Sequence, residues 1–189
     1  MRILLLADRE SQSYQGADLL VILTQSAALA GHDVDTVVLS CDELRHCVGC
    51  FGCWVKTPGR CVQTADEANG IVARFIKADL VLLLTRITYG GFSADVKALL
   101  DRSVPLLCPF FKTIGGEMHH QKRYARYPSL LAFGYGDFTE GEQQTFAELL
   151  ERNAINFHAP HQLALCGGEF EGFTQALGRV SDFIKAVES

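Results

Sequence analysis

Five short apolar runs recur along this chain, and the segments between them carry apolar residues at helical spacing. The runs are "RILLLA" (2–7), "VDTVVL" (34–39), "DLVLLLT" (79–85), "SLLAFG" (129–134) and "HQLALCG" (161–167). Runs that are continuously apolar mark strands buried on both faces. Strands separated by helices require right-handed crossovers and so a parallel sheet covered by helices.

The intervening segments read as helices. From Gly16 to Ala30, residues Leu19, Leu20, Leu23, Ala27 and Ala30 make one apolar face, and Gly31 is placed to end it. Thr64 and Glu67 have capping-box spacing before a helix that buries Ile71, Val72 and Phe75. Ser93 is an N-cap ahead of Val96, Leu99 and Leu100. Thr139 and Glu142 repeat the capping box before a helix to about Asn156. A last helix turns Phe173, Leu177, Val180, Ile184 and Val187 inward. The pattern predicts an α/β fold, a flavodoxin-like three-layer sandwich with a five-stranded parallel sheet in the order 2-1-3-4-5. Residues 1–189 are expected to form one domain, since domains commonly hold about 100–200 residues. Two segments stand outside the alternation: a cysteine-rich loop over 41–63 and a long excursion over 105–127. A connection as long as the second is usually functional or part of an interface.

A net charge of −5, with no dense Lys/Arg stripe, excludes nucleic acid as an expected partner. The opening "MRILLLADRE" is too short and too soon polar for a signal peptide, and no apolar run is long enough to span a membrane. A cytoplasmic location is expected, and there the 7 cysteines point to metal or redox chemistry rather than disulfides. Four of them lie in "CVGCFGCWVKTPGRC", as C-x2-C-x2-C-x7-C from Cys47 through Cys50 and Cys53 to Cys61. Gly49 and Gly52 permit tight wrapping, and Pro58-Gly59 supplies a turn that brings Cys61 back. Four readings stay open: an iron–sulfur ligand set, a zinc clip, a thiol relay, and a thiol-rich loop lidded by Phe51 and Trp54. Cys41, Cys108 and Cys166 read as small buried apolar residues. His119 and His120 are adjacent, so their side chains diverge and make poor metal ligands; with Lys122, Arg123 and Tyr124 their segment reads first as a subunit-interface arm and otherwise as a contact for a nicotinamide nucleotide's phosphates.

Open parallel sheets bind ligands beyond the carboxyl ends of their strands, near the point where strand order reverses. Three loops fall there. "DRESQSYQG" offers Arg9, Ser11, Gln12 and Ser13 to a phosphate, or is a solvated turn. "TRITYGGFS" holds Arg86, Ile87, Thr88, Tyr89, Gly90, Gly91 and Phe92, where glycines allow a flat ring close approach and aromatics offer stacking, or else shape a plain turn. "GYGDFTEGE" adds Tyr135, Gly136 and Asp137. Together they describe a flavin mononucleotide site. No GxGxxG follows the first strand, which argues against a Rossmann-type dinucleotide.

"CVGCFGCWVKTPGRCVQTAD" followed by "TRITYGGFSADVKALLDR" resembles the NADPH-dependent FMN reductase group of flavodoxin-fold proteins, and most of all the branch that includes the iron–sulfur flavoproteins. The resemblance extends over nearly the whole chain. It implies FMN at the three loops, NAD(P)H as electron donor, a small acceptor such as a quinone or free flavin, and a homodimer or homotetramer. In the iron–sulfur branch a compact cysteine set holds a [4Fe–4S] cluster, which here would use Cys47, Cys50, Cys53 and Cys61, with ferredoxin as donor. The implied chemistry belongs to the flavin, so no side chain is named as a catalytic acid or base. A non-catalytic thiol redox sensor is the reading from another class.

The chain departs from the group's pattern in three places. Asp8 and Glu10 put negative charge where a phosphate loop is expected, a cost unless the carboxylates point away. Arg86 stands where Pro is usual and can stabilise a reduced, anionic flavin or reach the phosphate. Ala65-Asp66 replaces an acidic pair, and Asp66 is expected to matter only for capping.

Overall fold

The computed structural model describes residues 1–12, 17–167 and 170–188. Five strands form one parallel sheet: β1 (Arg2–Asp8), β2 (Asp33–Leu39), β3 (Leu80–Arg86), β6 (Ser129–Tyr135) and β7 (Gln162–Gly167), in the order β2-β1-β3-β6-β7. Counting only sheet strands, that is the expected order. The remaining strands, β4 (Leu107–Ile114) and β5 (Glu117–Lys122), form a separate antiparallel pair.

The three central strands are buried except for Arg2 at the start of β1 and Arg86 at the end of β3, and successive residues enter different clusters. Leu4, Leu6, Val81, Leu83, Leu130 and Ala132 pack with Ile71 and Phe75 of α3 (Ala68–Phe75), Val96 and Leu99 of α4 (Ala94–Arg102), and Phe146 and Leu150 of α5 (Glu140–Asn156). Ile3, Leu5, Leu80, Leu82, Leu131 and Phe133 pack with Leu19 and Leu23 of α1 (Ala17–Leu29) and Val180 and Ile184 of α6 (Phe170–Glu188). This period-two division is what strand geometry dictates.

The helix signals held where nothing competed for them. Gly31 adopts φ 84° just past α1, its N–H donating to the Ala28 carbonyl at 2.9 Å. Ala30 lies past the helix end and is exposed, so it is not part of the buried face; Gly16 and the side chain of Phe173 lie outside what is described. Leu100 is only partly buried. Ser93 accepts the Val96 N–H, and Thr139 and Glu142 form both halves of a capping box. The Thr64–Glu67 expectation fails. α3 begins at Ala68 with no side-chain cap from its N-cap residue, Glu67, and the Asp66 carboxylate takes the Ala68 N–H instead. Arg102 draws that carboxylate inward and bends the chain before the helix.

The excursion over 105–127 is mostly hairpin. Gly115 (φ 59°) and Gly116 (φ 88°) join β4 to β5, with Ile114 opposite Glu117. Two left-handed residues in a two-residue loop match the right-handed twist of the flanking strands.

Candidate functional site

β1, β3 and β6 end side by side, and the last residue of each enters one network. Asp8 is fully buried, with its carboxylate turned inward. Its Oδ2 accepts the Arg86 N–H at 2.7 Å, and its Oδ1 accepts the Ser11 N–H at 3.0 Å and the Tyr135 hydroxyl at 2.5 Å. Burial first, then the bond to Asp8, pushes the Tyr135 phenol well above its ordinary pKa. The main-chain N–H of Ile87 donates to the Tyr135 carbonyl at 2.9 Å. Three strand ends are thus tied through one carboxylate. The condition set on Asp8 is met, because it turns away from the rim.

The rim above this knot carries alternating charge. The Arg86 guanidinium donates to Glu10 at 2.8 Å, and that bond and the Glu10 charge, with Asp137 a smaller contributor, strengthen its hold on its proton. Gly136 (φ 100°) makes room for it, since a Cβ there would stand 3.2 Å from Arg86 Cγ. Arg9 turns away from the first loop to pair with Asp42 and Asp95, and its Nη2 also contacts Cys41 Sγ. Asp95, at the start of α4, accepts the main-chain N–H of Cys41 at 2.7 Å and of Arg9 at 3.2 Å. Cys41 is therefore a part-exposed rim residue rather than a buried apolar one. Cys108 and Cys166 are also only partly buried, although burial still pushes the Cys166 thiol up to about 11.

Of the first loop, Ser11 is buried with its hydroxyl on the Asp8 carbonyl, Gln12 is exposed, and Ser13 lies outside the described residues. In the second loop, Thr88 and Gly91 pair with each other through both main-chain groups and present Tyr89 at the tip. Tyr89 is 92% exposed and held at φ 50°, an uncommon left-handed conformation for an aromatic residue. Phe92 offers no stacking surface; it is buried edge-on to Phe146, with ring centroids 5.4 Å apart. Gly90 is needed for packing, because a Cβ there would meet Thr145 at 2.8 Å. Ile87 is core. Among the described residues, Tyr89, Arg86 and Gly136 offer a place for a flat aromatic ring, while Arg9 and Ser11 of the first loop are engaged elsewhere.

The cysteine loop has its own architecture. A short helix, α2 (Gly52–Val55), follows Phe51, which sits at φ 53°. Gly52 cannot be replaced without displacing Val62, whose Cγ1 would stand 2.7 Å from a new Cβ. The Trp54 indole N–H donates to the Leu107 carbonyl at 3.0 Å, anchoring the loop to β4, while Phe51 stacks on Trp54 and stays exposed. At the other end the loop is closed by Arg102 and Asp66. Arg102 Nη1 donates to the Arg45 carbonyl at 2.7 Å and Nη2 to the Gln63 carbonyl at 3.0 Å, and both reach the Asp66 carboxylate. Asp66 also accepts the Arg45 N–H at 2.8 Å. Burial pushes its carboxyl upward, but these bonds and the guanidinium charge outweigh that and hold it below its ordinary pKa. Its role is a buried ion pair as well as helix capping.

Cys61 is buried at this closed end, Cys53 is partly buried, and Cys47 and Cys50 are exposed. Burial, then the charges of Cys61, Cys47 and Cys50, raises the Cys53 thiol, so the four sulfurs are electrostatic neighbours. Among the described residues no three His, Cys, Asp or Glu side chains converge on one ion. A single zinc gathers thiolates to about 2.3 Å from one point, whereas a cubane with an iron at each thiolate spreads them wider. Four thiols on one loop are the donor chemistry that either group takes. His119 and His120 diverge as expected, His119 toward Asn156 and Glu117 and His120 toward the Cys108 carbonyl.

No family model matches the chain. An iron–sulfur flavoprotein of Methanocaldococcus jannaschii is 33% identical over 98 residues, 51% of this chain and 49% of that protein. One of Methanosarcina thermophila is 33% identical over 76 residues, covering 40% and 38%. The chain thus spans about half the length, or less, of the curated relatives it matches. Among solved structures, the NAD(P)H:quinone oxidoreductase of Methanothermobacter marburgensis superposes with TM-score 0.67 at 13% identity, covering 95% of this chain and 92% of that one. An FMN-dependent NADH-azoreductase of Bacillus anthracis, solved with FMN, gives 0.66 at 10% identity over 100% of both chains. The fold is flavodoxin-like. At such identities a structural likeness speaks for the fold alone.

Proposed function

We propose that this protein is an FMN-dependent oxidoreductase that takes electrons from NAD(P)H and passes them to a small acceptor such as a quinone or free flavin. The observation that carries this reading is the rim itself: three strand ends locked by Asp8, with Arg86 and the strained, exposed Tyr89 presented above them. The names of the relatives and structural neighbours support it. FMN, when bound, supplies hydride and electron chemistry. The chain would hold its ring with Tyr89, Arg86 and the Gly136 backbone, and Arg86 would favour negative charge there. Glu10 keeps Arg86 oriented rather than free to swing. Strain at Tyr89 is the kind of feature found at ligand clamps.

A second reading is favoured by one observation: the four-cysteine stretch is anchored by Trp54 and at its neck by Arg102, with the Cys47, Cys50 and Cys61 sulfurs all in electrostatic range of Cys53. In that reading Cys47, Cys50, Cys53 and Cys61 hold an iron–sulfur cluster and ferredoxin is the donor. We read the two core clusters as the helical layers of a three-layer sandwich. The exposed Phe110, Phe111 and Met118 of the hairpin are our candidate homodimer or homotetramer surface, which light scattering would test. Among the described residues no helix is long and apolar enough to cross a membrane, and we place the protein in the cytoplasm.

The test is an absorbance spectrum of protein purified without oxygen, with iron, sulfide and NAD(P)H–quinone turnover measured on the same sample. Flavin absorbance with turnover and no iron supports the first reading, and flavin with iron and sulfide supports the second. No flavin under any reconstitution refutes both.

A further inference from the structure

Arg102 is 1% exposed and carries five N–H donors at the closed end of the cysteine loop. The Nη groups are taken by Asp66 and by the Arg45 and Gln63 carbonyls. Nε is not: among the described residues it is the buried side-chain polar atom left without a hydrogen-bond partner. Leaving a buried donor unpaired is costly, most of all on a charged group, so a fold this well satisfied needs a reason for it. Cys61 is placed beside it by shared partners: the Gln63 carbonyl takes both Arg102 Nη2 and Asn69 Nδ2, and Asn69 Nδ2 also holds the Cys61 carbonyl. The Cys61 side chain is among the groups that keep the guanidinium protonated against burial. Cys61 is itself fixed: its N–H donates to Asn69 Oδ1 and its carbonyl accepts from Asn69 Nδ2, both at 3.0 Å. A neutral thiol is a weak acceptor, whereas a thiolate takes a strong, charge-assisted bond.

We propose that Arg102 Nε–H is a donor reserved for the Cys61 thiolate as an iron–sulfur ligand, so that Cys61 is the prebuilt ligand onto which Cys47, Cys50 and Cys53 close. Arg102 is then a positioning residue that closes the loop's neck and stabilises added negative charge on the cluster through one sulfur. This inference rests on the iron–sulfur reading above.

The experiment is anaerobic reconstitution of the full chain with ferrous iron and sulfide, for wild type, Arg102→Lys and Cys61→Ser, followed by a dye-monitored redox titration. Wild type should hold about four irons and four sulfides per chain, and Cys61→Ser should lose most of them. Arg102→Lys keeps the charge but lacks Nε–H in the fork. At a fixed ambient potential its reduced-to-oxidised ratio should fall about tenfold, equal to 59 mV for a one-electron couple. A loaded Arg102→Lys protein whose ratio stays within about twofold of wild type overturns the inference and leaves the iron–sulfur reading intact. A wild type that takes up neither iron nor sulfide overturns both. Should Arg102→Lys fail to fold, pulsed paramagnetic resonance of the reduced wild-type cluster, with arginine labelled by nitrogen-15 at Nε, decides the matter. A nitrogen-15 coupling supports the bond, and its absence overturns it.

Discussion

Replacing Tyr135 by Phe tests whether the Asp8 knot organises the rim. The substitution keeps the buried ring and removes one hydroxyl, which donates to the fully buried Asp8 at 2.5 Å. Hydrogen bonds to charged partners contribute about 1.5–3 kcal/mol. Asp8 keeps the Ser11 and Arg86 N–H donors, so a loss of about 2 kcal/mol is expected, or about 4–8 °C in Tm for a chain of this size. Urea unfolding followed by circular dichroism would measure it for wild type, Tyr135→Phe, Asp8→Asn and the double variant, with about 0.5–3 kcal/mol of coupling expected across the cycle. The pH dependence is a second signature. A phenol whose folded pKa is raised contributes stability that is fully present below its unfolded value near 10 and is lost as pH rises from there toward the folded one. Tyr135→Phe should therefore flatten the alkaline limb of the stability curve. Coupling below about 0.3 kcal/mol, with an unchanged alkaline limb, would refute the reasoning.

Arg86→Ala should leave stability within about 1 kcal/mol of wild type, because its pair with Glu10 is largely solvated. The same change should raise the FMN dissociation constant about tenfold, or 1.4 kcal/mol, in a fluorescence titration. Thr139→Ala removes the hydroxyl half of the α5 capping box, leaving the main-chain N–H of that position on the Glu142 carboxylate, and should cost about 1 kcal/mol in chemical denaturation. Burial pushes the Asp79 carboxyl up, but the Arg2 main-chain N–H and then the Arg126 charge outweigh it, so its folded pKa is lowered. Its contribution is thus present above the unfolded value near 3.9 and lost as pH falls through the folded one. Asp79→Asn should make the acid limb of a pH–stability profile shallower.

The sheet was legible because burial on both faces leaves unbroken apolar runs, as in "DLVLLLT". Local signals succeeded where they were self-contained: Gly31, Ser93 and the Thr139–Glu142 box all act within a few residues of themselves. Thr64–Glu67 had the same local spacing and failed because Asp66 is taken by Arg102, 36 positions away. No local rule sees that partner. Arg102 itself reads as a polar residue in the last turn of a helix, where a surface cation is common. The hairpin had a readable signal in "IGGE", two glycines between flanking strands, but the basic and aromatic residues around it hid the strand period. Asp8 was visible only as unwanted charge; its inward turn depends on a tyrosine 127 positions away.

Among the described residues, the Cys47–Cys61 stretch with its Arg102–Asp66 neck and the Asp8 knot are held by different hydrogen-bond partners, although Cys41 at the start of the loop meets the rim at Asp95. This separation makes a last prediction possible. The loop is held by Arg102 and Asp66 at its neck and by Trp54 on the Leu107 carbonyl at its tip. The rim is held by Asp8, Tyr135 and the Arg86 N–H. Mutations without shared partners add to within about 0.3–0.5 kcal/mol, whereas members of one network couple more strongly. Tyr135→Phe combined with Arg102→Lys should therefore unfold at the sum of the two single costs. Breaking a buried ion pair can cost about 3–5 kcal/mol, so the Arg102 cost should be the larger even though lysine keeps the charge. Flavin content should follow Tyr135 and be indifferent to Arg102. If the pair instead couples by more than about 1 kcal/mol, or if Arg102→Lys sheds flavin while folded, the loop and the rim act as one unit. The cysteine loop would then belong to the flavin site rather than stand beside it.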